Sequence, residues 1–152
     1  MLLALDISTS CTGWCVFNHE NELEGYGFIN LSKHKDLYEK ASKVKTELLK
    51  MIILYDIQSV AVEENLQAFR PGLSSAKTLM TLAQFNGIVR WLCHSELKVP
   101  VYAHNVNSAR KAVGLKLDRK SKKKTKDQVL EWVDAINISN RGEIDILWPT
   151  KV

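Results

Sequence analysis

The chain has 152 residues with 45% hydrophobic and 25% charged side chains, a composition typical of one soluble globular domain over residues 1–152. No apolar run approaches the roughly 20 residues of a membrane helix, and Met1–Leu3 leads into a strand pattern without the basic segment of a signal peptide. The three cysteines lack metal-site spacing and predict reduced thiols. These features exclude a membrane protein or a disulfide-stabilised secreted protein and predict a cytoplasmic one. The net charge of the chain is only +4.

The pattern of apolar residues predicts elements in the order β-β-β-α-β-α-β-α-α. Three antiparallel strands followed by strand–helix alternation indicate an α/β fold with a mixed sheet. Gly25 and Gly27 predict bulges in an edge strand. The predicted strands are Leu2–Asp6, Gly13–Phe17, Glu24–Ile29, Ile57–Glu63 and Lys98–His104, and the predicted helices are Asp36–Leu54, Ser74 or Ser75 to about His94, Asn107–Val113 and Thr125–Ile136.

Two carboxylates end predicted strands. Asp6 closes the first strand and Glu63 the fourth, and ligand sites in open α/β sheets gather beyond the carboxyl ends of the strands. Converging carboxylates raise each other's pKa unless a cation neutralises them, and such hard oxygen ligands suit Mg²⁺ or Mn²⁺. The alternative is that Asp6 caps a turn and Glu63 lies in solvent. Alternation along the strand leaves open whether Glu63 or Glu64 faces the site.

A basic block lies between Arg110 and Lys126. It holds nine basic residues and one acid, Asp118, so it carries +8 while the rest of the chain carries −4. Such a block attracts polyanions by counterion release and long-range steering. The alternative is a solvated, mobile loop without a ligand. The candidate contacts are Arg110, Lys111, Lys116, Arg119, Lys120, Lys122, Lys123, Lys124 and Lys126.

The motifs around the two carboxylates resemble those of the RuvC-like Holliday-junction resolvases. The first is Leu3-Ala4-Leu5-Asp6-Ile7-Ser8 followed by Thr12-Gly13-Trp14, and the second is Val60-Ala61-Val62-Glu63-Glu64. The later segments follow the order of elements in that family: the helix with Ala83–Gly87, then Val101–Arg110, then Lys126–Val129. The resemblance covers residues 1 to about 136 and points to the phage-type branch.

This resemblance implies a ribonuclease-H-like fold, a mixed five-stranded sheet flanked by helices, and endonuclease activity on Holliday junctions or other branched DNA. It implies that Asp6 and Glu63 are catalytic and hold two Mg²⁺ ions, with Mn²⁺ as a substitute. It implies that Phe69 stacks on an unpaired base while Arg70 pairs with phosphate, although Phe69 packing onto the core is nearly as good an interpretation. It also implies a homodimer built on the helix that carries Trp91, in a bacterial or phage-infected cell.

One part of the family's pattern is missing. Resolvases of this kind complete the site with one or two acids near the start of a C-terminal helix, whereas the chain offers only Glu143 and Asp145 after Ile136. We favour a chain that ends before this motif over an imperfect substitution by Asp145 as a third metal ligand. A non-catalytic branched-DNA-binding module is therefore an alternative. An actin-like ATPase fragment is a weaker one, because the sequence lacks a glycine-rich phosphate loop.

Overall fold

The computed structural model describes residues 1–64, 75–118 and 120–139, the side chains of 136–139 excepted. Within these ranges the predicted order of elements is confirmed, and the differences lie at element ends. None of the described helices combines the length and apolarity needed to span a membrane. The strands are β1 (Leu2–Asp6), β2 (Cys11–Phe17), β3 (Leu23–Asn30), β4 (Ser59–Glu63) and β5 (Val101–His104), and the helices are α1 (Leu37–Leu54), α2 (Ala76–Leu92), α3 (Val106–Ala112) and α4 (Thr125–Ser139), with a π-helical turn at Cys93–Leu97 after α2.

The strands form one mixed sheet in the order β3-β2-β1-β4-β5. The first three strands pair antiparallel, whereas β1 with β4 and β4 with β5 pair parallel. The predicted mixed five-stranded sheet is therefore confirmed. Because β1 lies in the middle with β4 beside it, the carboxyl ends of these two strands are neighbours.

Helices α1 and α2 pack on one face of the sheet. Strand residues alternate between the two faces, so every second side chain enters the core. Full burial of one such aliphatic side chain stabilises the fold by about 1.5–3 kcal/mol. The core combines Leu3, Leu5, Val16, Val60 and Val62 of the sheet with Val44, Leu48 and Met51 of α1 and Phe85, Val89 and Leu92 of α2.

Helices α1 and α2 each begin at a residue whose side chain caps the helix. The Asp36 carboxylate accepts hydrogen bonds from the N–H groups of Tyr38 and Glu39, so α1 begins at the next residue, Leu37. Of the two serines predicted as the cap of α2, Ser75 takes that role and accepts from the N–H of Thr78 at 3.1 Å. These caps fix where each helix leaves its preceding loop.

The chain divides into two compact units, Met1–Val106 and Asn107–Val152. The sheet, α1 and α2 form the first. In the second, Val129, Trp132 and Val133 of α4 are half-buried, as the predicted inner face of that helix requires. The side chain of Ile136 lies outside the described residues. The single domain over the whole chain stays a prediction.

The glycines of β3 make room for an aromatic side chain. A Cβ atom at Gly27 would lie 2.9 Å from Cζ2 of Trp14, and one at Gly25 would overlap the Tyr55 hydroxyl. The rings of Trp14 and Tyr55 pack at 6.5 Å between centroids. The only register shift between β2 and β3 lies between Val16 and Phe17, so the bulge predicted at Gly27 is wrong: this glycine pairs regularly with Trp14.

We expect Gly27→Ala to lower the free energy of unfolding by about 1–3 kcal/mol, because the indole of Trp14 has to move. Urea unfolding monitored by fluorescence measures this. Gly87→Ala is the matched control, since a Cβ there meets open space on α2 and alanine favours a helix by up to about 1 kcal/mol. Equal losses in the two variants would contradict the packing argument.

The cysteines Cys11, Cys15 and Cys93 are free thiols. Burial raises the pKa of the Cys15 thiol, and it raises the pKa of Cys93 to about 12. Cys93 is therefore an inert, uncharged core residue at neutral pH.

Candidate active site

Asp6 and Glu63 lie side by side at the carboxyl ends of β1 and β4. The last paired position of these parallel strands is Leu5 with Val62, and the two carboxylates occupy the next position on each strand. Neighbouring strands run about 4.8 Å apart. Leu5 and Val62 point into the core, so Asp6 and Glu63 point to the other face, and both are exposed.

The same alternation separates Glu63 from Glu64. Glu63 shares a face with Asp6, whereas Glu64, one residue later and half-buried, points to the opposite side. The sequence left this choice open. The geometry favours Glu63 as the partner of Asp6.

A glycine lies on the other side of Asp6. Gly13 of β2 is the antiparallel partner of Asp6, and a Cβ atom there would lie 3.8 Å from the Cβ of Asp6. That is an ordinary contact, so glycine is not forced here by sterics. Its effect is to leave the flank of the Asp6 carboxylate open.

The turn after Asp6 is held from two directions. Thr12 is fully buried, and its hydroxyl donates to the backbone oxygen of Ser8 at 3.3 Å. The ammonium group of Lys40 on α1 donates to the backbone oxygen of Thr9 at 2.5 Å. The hydroxyl-rich stretch that follows Asp6 thus orders the turn, and this fixes the end of β1.

The end of β4 is fixed as well. The N–H of Glu64 donates to the backbone oxygen of His104 at 2.8 Å, and Glu63 pairs with His104 in the ladder between β4 and β5. The side-chain amide of Asn86 on α2 donates to the backbone oxygen of Glu63 at 3.2 Å. His104 is exposed and, by its register, lies on the same face as Glu63. The row across the sheet is therefore Gly13, Asp6, Glu63, His104.

The basic residues belong to the second unit. Lys111, Lys116, Lys120, Lys122, Lys123, Lys124 and Lys126 are exposed, and Arg110 is half-buried. Gly114, at φ +76°, ends α3 in a Schellman turn, with its N–H bonded to the oxygen of Lys111 and the Leu115 N–H bonded to that of Arg110. A depression of about 260 Å³ beside this turn is lined by Arg110, Lys111 and Lys116 among others.

The loop before α4 is ordered by one glutamine. The Gln128 side chain accepts from the N–H of Asp118 at 2.8 Å and donates to the backbone oxygens of Asp118 and Lys123 at 3.0 and 3.1 Å. The Asp118 carboxylate also accepts from the N–H of Lys120. These bonds tie the described part of the loop to α4, and the mobile loop named in the sequence analysis stays an alternative.

No protein-family model matches the sequence. The crossover junction endodeoxyribonuclease RuvC of Ehrlichia chaffeensis is 24% identical over 114 residues, which are 74% of this chain and 69% of that protein. The solved structure of Thermus thermophilus RuvC matches 95% of this chain and 84% of its own, with a TM-score of 0.60 and 18% identity. The chain thus resembles RuvC in sequence over those 114 residues and in fold over most of its length.

Two further structures share this RuvC-like fold. Thermus thermophilus RuvC in complex with a Holliday junction substrate matches 74% of this chain and 70% of its own, at a TM-score of 0.59 and 18% identity. The yeast mitochondrial Holliday junction resolvase Ydc2 matches 95% and 70%, at a TM-score of 0.52 and 12% identity. The predicted ribonuclease-H-like architecture is confirmed by these likenesses.

Several residues predicted for the site fall outside the described residues: Phe69, Arg70, Arg119 and the third ligand Asp145. Among the residues that are described, no three His, Cys, Asp or Glu side chains come close enough together to hold a metal ion. The described part of the site therefore consists of two adjacent carboxylates with their supporting bonds.

Two residues beside the carboxylates, His104 and Asn86, were not predicted from the sequence. His104 ends a predicted strand, but only the register of β5 against β4 brings it beside Glu63. Asn86 carried a signal that could have been used, because it is a polar residue in the apolar stripe of α2, next to Phe85 and three residues before Val89.

Proposed function

We propose that this RuvC-like chain is a structure-selective endonuclease that cleaves Holliday junctions or other branched DNA. The observation that carries the proposal is the pairing of Asp6 with Glu63 on one face, at the carboxyl ends of two parallel strands of this fold. The relatives named above, a crossover junction endodeoxyribonuclease and Holliday junction resolvases, support it. The three free thiols of this chain agree with a reducing, cytoplasmic location in a bacterial or phage-infected cell.

The two carboxylates fit a divalent cation. Mg²⁺ commonly binds proteins through one or two carboxylates and completes its coordination shell with waters and substrate phosphates. Asp6 and Glu63 therefore suffice as the protein ligands of one such ion. Mn²⁺ accepts the same oxygen ligands. We include in this proposal that each active site binds two such ions, as the resemblance implies. When bound, such ions activate water for attack on a phosphodiester and stabilise the leaving oxygen.

The remaining residues position the site and the DNA. Thr12 and Lys40 fix the turn beyond Asp6, which holds that carboxylate in place when a phosphate approaches. The basic residues of the second unit contact phosphates without reading sequence, as lysine and arginine side chains commonly do. Selectivity for a branched substrate then comes from its shape.

The experiment that tests the function compares a four-way junction with a linear duplex of matched sequence. Cleavage is measured with Mg²⁺, and binding is measured by gel shift with Ca²⁺, which occupies oxygen sites but supports cutting poorly in the proposed mechanism. Nicking of the junction in preference to the duplex is the expected result. Equal binding and equal cutting of both substrates would refute the proposal.

A non-catalytic junction-binding module is the second candidate. The observation that favours it is that no three His, Cys, Asp or Glu side chains within the described ranges lie close enough together to hold a metal ion. It predicts junction binding that is independent of divalent metal, with no cleavage even when a C-terminal extension carrying further acids is added. The sequence likeness to a junction endonuclease lends no support to the actin-like ATPase alternative.

We also propose that the protein acts as a homodimer through the groove between α1 and α2. The groove has a volume of about 850 Å³ and includes Leu37, Tyr38, Ile88 and Trp91 in its lining. Tyr38 is 81% exposed and Trp91 63% exposed, large values for aromatic side chains in a monomer. Two active sites on one dimer would allow symmetric cuts in a four-way junction.

Trp91→Ala is expected to weaken dimerisation by at least about 30-fold, since a central tryptophan is commonly a hot spot of an interface. Sedimentation velocity over a concentration series measures the dissociation constant. Tyr102→Ala, which removes another exposed aromatic from β5, is the control and leaves it unchanged. A monomeric wild-type protein at high micromolar concentration would contradict the dimer.

A further inference from the structure

A buried amide lies in the apolar face of α2. Asn86 is 4% exposed, and its neighbours on that face, Phe85 and Val89, are fully buried core residues. A polar side chain in such a place is unfavourable unless its hydrogen-bonding groups are satisfied.

The amide of Asn86 is satisfied on one side only. Its Nδ2 donates to the backbone oxygen of Glu63 at 3.2 Å, whereas its Oδ1 has no partner among the described residues. The orientation follows from chemistry, because the backbone oxygen of Glu63 can accept but not donate. A leucine of similar shape would fill the same space and remove the unpaired Oδ1, at the cost of the bond to the Glu63 oxygen, so core packing alone does not account for asparagine.

The one bond that Asn86 makes is placed at the candidate active site. It holds the C=O of the peptide group that joins Glu63 to Glu64, and the N–H of that same peptide group donates to the backbone oxygen of His104 at 2.8 Å. Both ends of the peptide plane are therefore fixed. The direction of the Cα–Cβ bond of Glu63 depends on this plane, since a single soft backbone dihedral, ψ of Glu63, separates them.

We propose that Asn86 is a positioning residue that orients Glu63 for divalent-cation binding, acting through the Glu63–Glu64 peptide rather than by touching metal or DNA. This inference rests on the proposed function, because it takes Asp6 and Glu63 to hold the cation. Groups that orient a metal ligand from outside the coordination shell commonly change metal affinity by 10- to 100-fold when they are removed.

The test measures Mn²⁺ binding to the full chain by the loss of the free-ion electron paramagnetic resonance signal. Asn86→Leu is expected to weaken Mn²⁺ binding about 10-fold or more, while the urea midpoint of unfolding changes little because removal of the buried unpaired Oδ1 offsets loss of the bond to Glu63. Gln58→Leu makes the same amide-to-leucine change at an exposed position outside α2 and leaves the affinity unchanged. Val89→Ala destabilises the same helix face without touching Glu63 and also leaves it unchanged.

An Mn²⁺ dissociation constant equal to that of the wild type in Asn86→Leu would overturn the inference, as would an equal weakening in Val89→Ala. Should the leucine variant not fold, Asn86→Ser, which cannot span the same distance with its shorter side chain, gives the same comparison with the same outcomes. Asp6→Asn separates the two levels of the argument. If it leaves Mn²⁺ binding intact, the proposed metal site fails; if it removes binding and Asn86→Leu does not weaken it, only the role of Asn86 fails.

Discussion

Asp6→Asn is expected to lower Mg²⁺-dependent junction cleavage by on the order of 10³-fold or more, while binding to the junction stays equal or becomes tighter. The amide keeps the shape of the side chain but removes the negative charge that attracts the cation. Loss of a group that stabilises transition-state charge commonly costs 10²- to 10³-fold in rate, and a shared ligand of the reacting ions costs at least as much. Binding does not suffer, because one fewer carboxylate faces the phosphates.

The separation of cutting from binding is what makes this result decisive. A structural role for Asp6 would instead reduce both through loss of folded protein, which a urea unfolding curve detects. Asp56→Asn is the matched control: Asp56 is exposed and precedes β4, at the end opposite to Glu63. Cleavage that survives in Asp6→Asn, with the folded protein intact, would remove Asp6 from the mechanism.

The pair Glu63 and Glu64 sharpens the comparison. The two residues are adjacent and chemically identical, yet strand alternation places them on opposite faces, with Glu63 beside Asp6. Glu63→Gln is therefore expected to lower junction cleavage. Glu64→Gln makes the same change one residue later and is expected to leave cleavage unchanged.

The sequence was enough to predict the mixed sheet because local signals agreed with one another. The apolar run ending in Asp6, the second one ending in Glu63 and the helical spacing that starts at Asp36 each marked an element boundary to within a few residues. The parallel pairing of β1 with β4 did not follow from local pattern. The structure supplies both this pairing and the register that brings Asp6 next to Glu63.

What the sequence missed depends on contacts between residues far apart along the chain. Asn86 reaches Glu63 across 23 positions, and Lys40 reaches Thr9 across 31. The sequence around Lys40 or Asn86 does not indicate which distant backbone oxygen the side chain will bind. Gly27 was misassigned for the same reason: the glycine pattern is common to bulges and to close packing, and only the position of the Trp14 indole distinguishes them.

The basic loop of the second unit carries the other large expected effect. Changing Lys122, Lys123 and Lys124 together to glutamate is expected to weaken junction binding by roughly 10²- to 10³-fold at 0.1 M salt. Each phosphate contact contributes about 0.9 to the slope of log K against log salt concentration, so loss of three contacts flattens that slope by about 3. Fluorescence anisotropy over a salt series measures both quantities on one substrate.

The three lysines do not contribute equally. The ammonium group of Lys123 lies 2.6 Å from Oε1 of Glu131, with both side chains 57% exposed, so part of its charge is already compensated, although such an exposed pair stabilises the fold by only about 0.2–1 kcal/mol. We therefore expect the change of Lys122 and Lys124 alone to produce most of the flattening. Hydrogen bonds of Gln128 tie this loop to α4, and such preorganisation lowers the entropy lost when phosphates bind.

The control has to separate local contacts from overall charge. Changing Lys33, Lys35 and Lys98 to glutamate takes the net charge from +4 to −2, as the loop variant does, but at exposed positions of the first unit. If phosphates contact the loop directly, the salt slope falls only in the loop variant. An equal loss of affinity and slope in both triple variants would mean that the loop acts through long-range attraction alone, and an unchanged slope in the loop variant would take these lysines out of the DNA interface.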